Sequence, residues 1–298
     1  MSGKTFVSEL YRAMKDGVDE RVHALIAEHR HELDAPVSQG DGCVPQVLIA
    51  AVWSGRPDYL QALVDAGADV NARDPSREGS SHNLRPLEAA LWFHNAPMER
   101  VLLEAGATED FGTWVFRRDV ARVASALDAD PALAESRFIC PSYTLLHVAA
   151  VLKDAPLARL FVERGLDPNA TDGAGHAPLR YAARNRPALD VLAVLVEAGA
   201  DVNHQSDTGI TALTAACRHR QSLPAVRWLL EHGADPNLVP ANRVSALMKA
   251  AGNRVPEMVQ LLLEHGADAS YRGKKGETAL DVAKLRKAVE VVDLLGGV

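Results

Sequence analysis

LVEAGADVN, Leu195 to Asn203, decides the fold because the chain keeps returning to it. Near copies read LVDAGADVN at Leu63 to Asn71, LLEAGATED at Leu102 to Asp110, FVERGLDPN at Phe161 to Asn169, LLEHGADPN at Leu229 to Asn237 and LLEHGADAS at Leu262 to Ser270. Their glycines are Gly67, Gly106, Gly165, Gly199, Gly233 and Gly266, and the last four are 33 or 34 residues apart. A fixed period of that length marks stacked supersecondary units with no single globular core. Such arrays work by presenting a surface, so the spacing points to binding and implies no reaction.

Outward from the closing segment, each unit is read as two helices. Apolar residues at helical spacing, such as Val226, Leu229 and Leu230, or Met258, Val259, Leu262 and Leu263, give the second helix a stripe that packs on its neighbours. The Gly that follows takes a left-handed cap most cheaply. Asn71, Asn169, Asn203 and Asn237 come four positions later, and Asn tolerates positive φ, so they are expected to turn the chain into a loop. Pro57, Pro97, Pro156, Pro187, Pro224 and Pro256 are expected in the first turn of the second helix, where the missing N–H has no partner to lose. Upstream, TLLHVAA at Thr144, APLRYAA at Ala177, TALTAAC at Thr211 and SALMKAA at Ser245 open the first helices, with paired small residues that let backbones approach.

Composition agrees and excludes several classes. The 298 residues are 47% hydrophobic but only 5% aromatic, which fits a helical core of Ala, Leu and Val. No apolar run reaches the roughly 20 residues of a membrane span, and the start, MSGKTFVSELYRAMKDG, lacks the apolar stretch of a signal peptide, so a soluble cytoplasmic protein is expected. Cys43, Cys140 and Cys217 are odd in number and far apart, which suggests neither disulfides nor zinc. The net charge of −7 is uneven: residues 1–150 hold 14 Lys+Arg against 22 Asp+Glu, a net −8, while residues 151–298 hold 18 against 17, a net +1.

These openings and closings resemble the TPLHxAA and GADVN segments of the ankyrin repeat family. The resemblance implies an all-α helix-pair solenoid with projecting hairpin loops, read here as one domain over 1–298 of about nine units: 5–37, 38–72, 73–108, 109–138, 139–170, 171–203, 204–237, 238–270 and 271–298. The family's His survives at His147 and is replaced by Ile49, Glu88, Arg180, Thr214, Met248 and Asp281. That His is generally structural, so its loss is expected to weaken nothing functional. The stretch ARDPSREGSSHNL after Asn71 is longer than the later loops and is expected to be a mobile projection. Between Gly106 and Phe111 almost the whole loop is missing.

The resemblance also places the first helices and loop tips on a concave binding face. Within TPLHxAAxxG, the positions flanking the Ala pair are expected to look into it. The position before the pair is occupied by Arg12, Ala50, Ala89, Thr113, Val148, Tyr181, Ala215, Lys249 and Val282, and the one after it by Lys15, Trp53, Trp92, Phe116, Val151, Arg184, Arg218, Gly252 and Leu285. Trp53, Trp92 and Phe116 fall at equivalent places in three consecutive units and form a candidate aromatic contact stripe. Filling gaps between helices is the competing reading. Arg184, Arg218 and Lys249, with Arg186, His219, Arg220 and Arg254 near them and Tyr181 alongside, form a candidate basic groove for an acidic protein partner. Cations answering helix dipoles are the alternative. The negative total charge and the short extent of the basic cluster argue against nucleic acid.

No HExxH, GxxxxGK[ST] or GxGxxG sequence occurs, and DGAGH at Asp172 occupies a hairpin slot. The expectation is therefore a monomeric, non-catalytic protein-binding solenoid without catalytic, cofactor or metal residues. Its Ala-rich, Asp-Pro-containing style (ALDADPALAES, GADPN) is similar to that of bacterial ankyrin proteins, which suggests a regulator or a toxin-neutralising immunity protein. An enzyme or small-ligand receptor with its site assembled in the groove is the alternative.

Overall fold

The computed structural model describes residues 3–33, 47–72, 84–137 and 143–296. Among them are eighteen α-helices in nine consecutive pairs and no strand. The long segment after Asn71 lies, over 73–83, outside the described residues, as do Cys43 and Cys140.

The helices group into two compact units, Met1–Pro141 and Ser142–Val298. The first holds α1 (Gly3–Asp16), α2 (Asp19–Glu28), α3 (Val47–Ser54), α4 (Pro57–Asp65), α5 (Pro86–Trp92), α6 (Ala96–Glu104), α7 (Phe111–Phe116) and α8 (Val120–Ala129). First helices α1, α3, α5 and α7 pack in sequence, and second helices α2, α4 and α6 do the same. The second unit repeats the scheme. Its first helices are α9 (Leu145–Leu152), α11 (Pro178–Ala183), α13 (Ala212–Ala216), α15 (Ala246–Asn253) and α17 (Ala279–Leu285). Its second helices are α10 (Ala155–Glu163), α12 (Leu189–Glu197), α14 (Leu223–Glu231), α16 (Pro256–Glu264) and α18 (Val289–Gly296).

The small-residue pairs sit within the first helices. Ala149 and Ala150, Ala182 and Ala183, and Ala250 and Ala251 are all fully buried, so a larger side chain at any of them would separate neighbouring units. The second helices close as expected: Gly199 has φ 92°, its N–H bonds to the Val196 carbonyl at 3.0 Å, and the Ala200 N–H bonds to the Leu195 carbonyl at 2.9 Å. That pair of bonds satisfies carbonyls the helix end would leave open. Pro57 and Pro256 begin α4 and α16, while Pro97, Pro156 and Pro224 are second residues of α6, α10 and α14. Pro187 departs from the rule, since α12 begins two residues after it at Leu189.

The loop Asn residues do not adopt positive φ. Instead, each reaches into the next repeat. The Asn169 amide donates to the Gly199 carbonyl at 2.9 Å while its Oδ1 accepts the Asp201 N–H at 2.8 Å. Asn237 does the same with Gly266 and Asp268, and Asn71 with Gly106 and Thr108. Asn offers a donor and an acceptor on one short amide, which is what this two-sided bridge needs. The bridge at Asn71 anchors the shortened connection after Gly106, whose Thr108 hydroxyl also donates to Asn71 at 3.0 Å.

Hairpin turns follow in the second unit, each closed by its own backbone bonds: Asp172 to His176, Ser206 to Ile210 and Gly273 to Glu277. Consecutive turns are tied by the Ala241 N–H to the Thr208 carbonyl at 2.8 Å, and His204 Nε2 meets the Gly175 carbonyl at 2.8 Å. Gly175, at φ 72°, is required there: a Cβ would stand 2.7 Å from the Asp207 nitrogen.

Candidate functional site

The first helices start on a cap that explains three of the six replacements of the family His. His147 Nδ1 accepts the N–H of Thr144 at 3.2 Å and meets its hydroxyl at 2.8 Å, while Nε2 reaches the His176 carbonyl of the next repeat at 2.9 Å. Glu88 accepts the Arg85 N–H at 2.9 Å, Thr214 the Thr211 N–H at 2.9 Å, and Asp281 the Thr278 N–H at 2.9 Å. Each of these side chains supplies an acceptor to an otherwise open helix start. Arg180 cannot, because a guanidinium has no acceptor. The N-cap of α11 is Ala177, whose methyl group cannot cap either, and it makes no side-chain hydrogen bond.

Arg180 instead lines a cavity of about 250 Å³ with Arg184, Arg218 and Lys249, floored by Ile210, Ala215 and Val244 and flanked by Asn242. The cations come from three successive first-helix segments, α11, the end of α13, and α15. Among the described residues no carboxylate forms an ion pair with any of the four. In the first unit the pattern is the opposite: Arg117 pairs with Glu99 and Glu109, both at 2.6 Å, Arg122 with Glu109 at 3.1 Å, and Arg85 with Asp110. What sets these four cations apart is that they converge on one cavity.

Burial shapes its electrostatics. Desolvation, added to the charges of Arg218 and Arg180 against the opposing influence of Cys217, brings the Lys249 ammonium down to about 8. Burial also pulls Arg180 downward, with Arg184 acting the same way, and its Nε is buried without an acceptor in the protein. A helix dipole accounts poorly for Lys249, which stands in the first half of α15, where a cation is unfavourable, while Arg180 lies midway along the six-residue α11, where the dipole favours neither sign. Arg184 and Arg218, beyond the ends of α11 and α13, fit a dipole better. Arg184 Nε also donates to His219 Nε2 at 3.4 Å.

Tyr181 is not part of the cavity wall. Its hydroxyl donates to the Asp172 carboxylate, and its ring meets Tyr143 edge-on at 5.1 Å and His147 at 5.8 Å. The Arg180 guanidinium lies 5.0 Å from the Tyr181 ring centre, so Tyr181 supports Arg180 from the side. Burial works against ionisation of Asp172, but the bonds from Tyr181 and from the His176 and Ala174 N–H groups outweigh it and hold the carboxyl below its usual range.

The aromatic residues fare differently. Phe116 is buried, 3% exposed, which corrects the expectation of an exposed stripe through it. Trp92 is half-buried and meets Phe116 edge-on at 6.0 Å, and Trp53 is half-buried. The position before the small pair also faces inward more than expected: Ala50, Ala89, Thr113, Val148 and Ala215 are buried. The reason is that successive first helices pack along this line, so only a long side chain such as Arg12, Tyr181 or Lys249 emerges from it. Of the other basic residues, Arg220 and Arg254 border a different cavity with Lys287 and Glu290. Arg186 offers its carbonyl to Lys153 Nζ.

The family model described as "Ankyrin repeats (3 copies)" matches residues 146–239 and 213–297, and the model for a single ankyrin repeat matches residues 47–75. The chain belongs to the ankyrin repeat family. Ankyrin repeats are protein–protein interaction modules and generally non-catalytic scaffolds. A comparison with curated proteins finds no match. Among the described residues of this ankyrin repeat protein, no cluster of three or more His, Cys, Asp or Glu could hold a metal ion, and no helix is long and apolar enough to cross a membrane.

Proposed function

We propose that this ankyrin repeat protein is a non-catalytic scaffold that holds an acidic protein partner against the first helices of Ser142–Val298. The observation that carries the reading is the convergence of Arg180, Arg184, Arg218 and Lys249 on one cavity without a carboxylate partner among the described residues. Four cations drawn together repel one another, and an anionic group from outside relieves that repulsion while gaining charge-assisted hydrogen bonds. Within Met1–Pro141, Trp53 and Trp92 are proposed as a second set of contact residues, with Phe116 packed edge-on against Trp92.

The reading further takes the nine helix pairs as one domain and the protein as a cytoplasmic monomer that binds neither nucleic acid nor membrane. A bacterial regulator, or an immunity protein that neutralises a toxin, suits this arrangement, and a toxin gene beside its own would favour the second. A photo-crosslinking residue at position 218, compared with one at exposed Arg227 on α14, tests the surface in cells of the source organism. One discrete protein captured from position 218 and absent from position 227 supports it. Capture from 227 alone, or from neither, removes the cavity from the binding surface.

A further inference from the structure

Resting on that reading, we propose that the cavity walled by α11, α13 and α15 is a subsite for a phosphoryl group, so that the anion it takes is a phosphate ester in preference to a carboxylate. Three first-helix segments each present at least one cation to the same space of about 250 Å³. A carboxylate carries one negative charge on two oxygens and can face two such donors in plane. A phosphoryl group carries nearly two charges on three oxygens arranged around phosphorus, and so meets donors from three sides at once.

The individual donors fit that demand. Arg180 lines the cavity and is held beside the Tyr181 ring. Asn242 Oδ1 accepts the Val244 N–H at 3.1 Å, and the residue also lines the cavity. Arg184 is oriented by His219, and Arg218 is exposed at the rim. Lys249 supplies a point charge from α15, complementing the flat guanidinium forks. Asp172 acts on Arg180 through its charge, but its hydrogen bonds are committed to Tyr181 and the His176 and Ala174 N–H groups.

Room for the rest of a ligand exists beside the subsite. A second cavity of about 310 Å³ shares Arg218, Val244 and Lys249 and continues past Gly252 toward Arg286 and Glu277. Glu277 places one carboxylate there, which makes that cavity poorly suited to a second phosphate and better suited to a mixed polar segment. A phosphorylated side chain with its flanking peptide and a free phosphate ester both present the chemistry required.

The test uses the full chain and three probes at matched ionic strength: inorganic phosphate, N-acetyl-phosphoserine amide and N-acetyl-glutamate amide, read by calorimetry and thermal shift. The expected result is that both phosphoryl probes bind and raise the melting temperature more than the glutamate probe does. Lys249→Met and Arg218→Gln each weaken phosphoryl binding about tenfold or more, while Arg227→Gln on α14 changes nothing. Lys249→Met also removes a repelled cation, so the unliganded variant melts no lower than the parent and a folding failure does not mimic the loss. Tighter binding of the phosphoserine probe assigns the group to a protein side chain, and tighter binding of inorganic phosphate assigns it to a small ligand. Equal affinity for the glutamate probe overturns the phosphoryl subsite and leaves the acidic-partner reading standing. Binding that survives both cavity variants, or no binding by any probe, also overturns it, and crosslinking from position 218 then decides the partner reading separately.

Discussion

Asn203 Oδ1 accepts the backbone N–H of Asp235 at 2.8 Å, while its amide nitrogen donates to the Gly233 carbonyl at 3.0 Å. One side chain thus ties the closing loop of one repeat to that of the next. Nearest-neighbour interfaces supply most of the stability of a repeat array, and these bonds lie on the exposed edge of such an interface. Asn203→Ala is expected to cost about 1 kcal/mol and to speed hydrogen exchange at the Asp235 amide. Unchanged exchange at that amide would mean that the loop is fixed by its backbone alone.

The aromatic residues separate by burial. Phe116→Ala should cost about 3–5 kcal/mol of folding stability, since its ring is enclosed. Trp53→Ala and Trp92→Ala should cost less and, as members of the proposed contact surface, should weaken partner binding at nearly unchanged stability. Denaturant midpoints and partner affinity measured on the same three variants check this. A loss for either Trp as large as that for Phe116 would assign that Trp to the core.

Lys249 gives a pH signature. Its folded value of about 8 lies below the ordinary lysine value of 10.5, so the unfolded chain binds more protons between those limits. Stability contributed through this group is therefore lowest below pH 8 and rises from pH 8 to 10.5, by on the order of 2 kcal/mol after screening by solvent. Burial raises both Tyr181 and Cys217, which act in the opposite sense at high pH. The measurement is accordingly the difference in unfolding free energy between the parent chain and Lys249→Met as a function of pH. A flat difference across this window would place the ammonium in water.

Much of the fold was legible because its determinants are local. Gly199 and its equivalents announce a left-handed cap, and the Ala pairs announce close helix approach, each from a few neighbouring residues. The role of Asn203 was not legible: its partners are some thirty residues away, and only the stacking of repeats brings them together. The candidate site was half readable. Arg184, Arg218 and Lys249 stood out as a periodic basic set, but Arg180 was read only as a substitute for a structural His. Its signal was a cation at a position where His147, Glu88, Thr214 and Asp281 provide an acceptor and Ile49 and Met248 are apolar. Phe116 misled because its position stays at least partly exposed in the other units, whereas here the ring is enclosed and packed edge-on against Trp92.

The central claim is that the basic cavity of Ser142–Val298 is where the partner is held. Reversing two rim charges together, Arg184→Glu with Arg218→Glu, tests it most directly, with affinity for the crosslinked partner and melting temperature measured on the same protein. Both residues are exposed, so the fold should persist. The account predicts an affinity loss of about 2–5 kcal/mol, the range for charges desolvated in a complex, with an unchanged melting temperature. Full affinity in the folded double variant would contradict it.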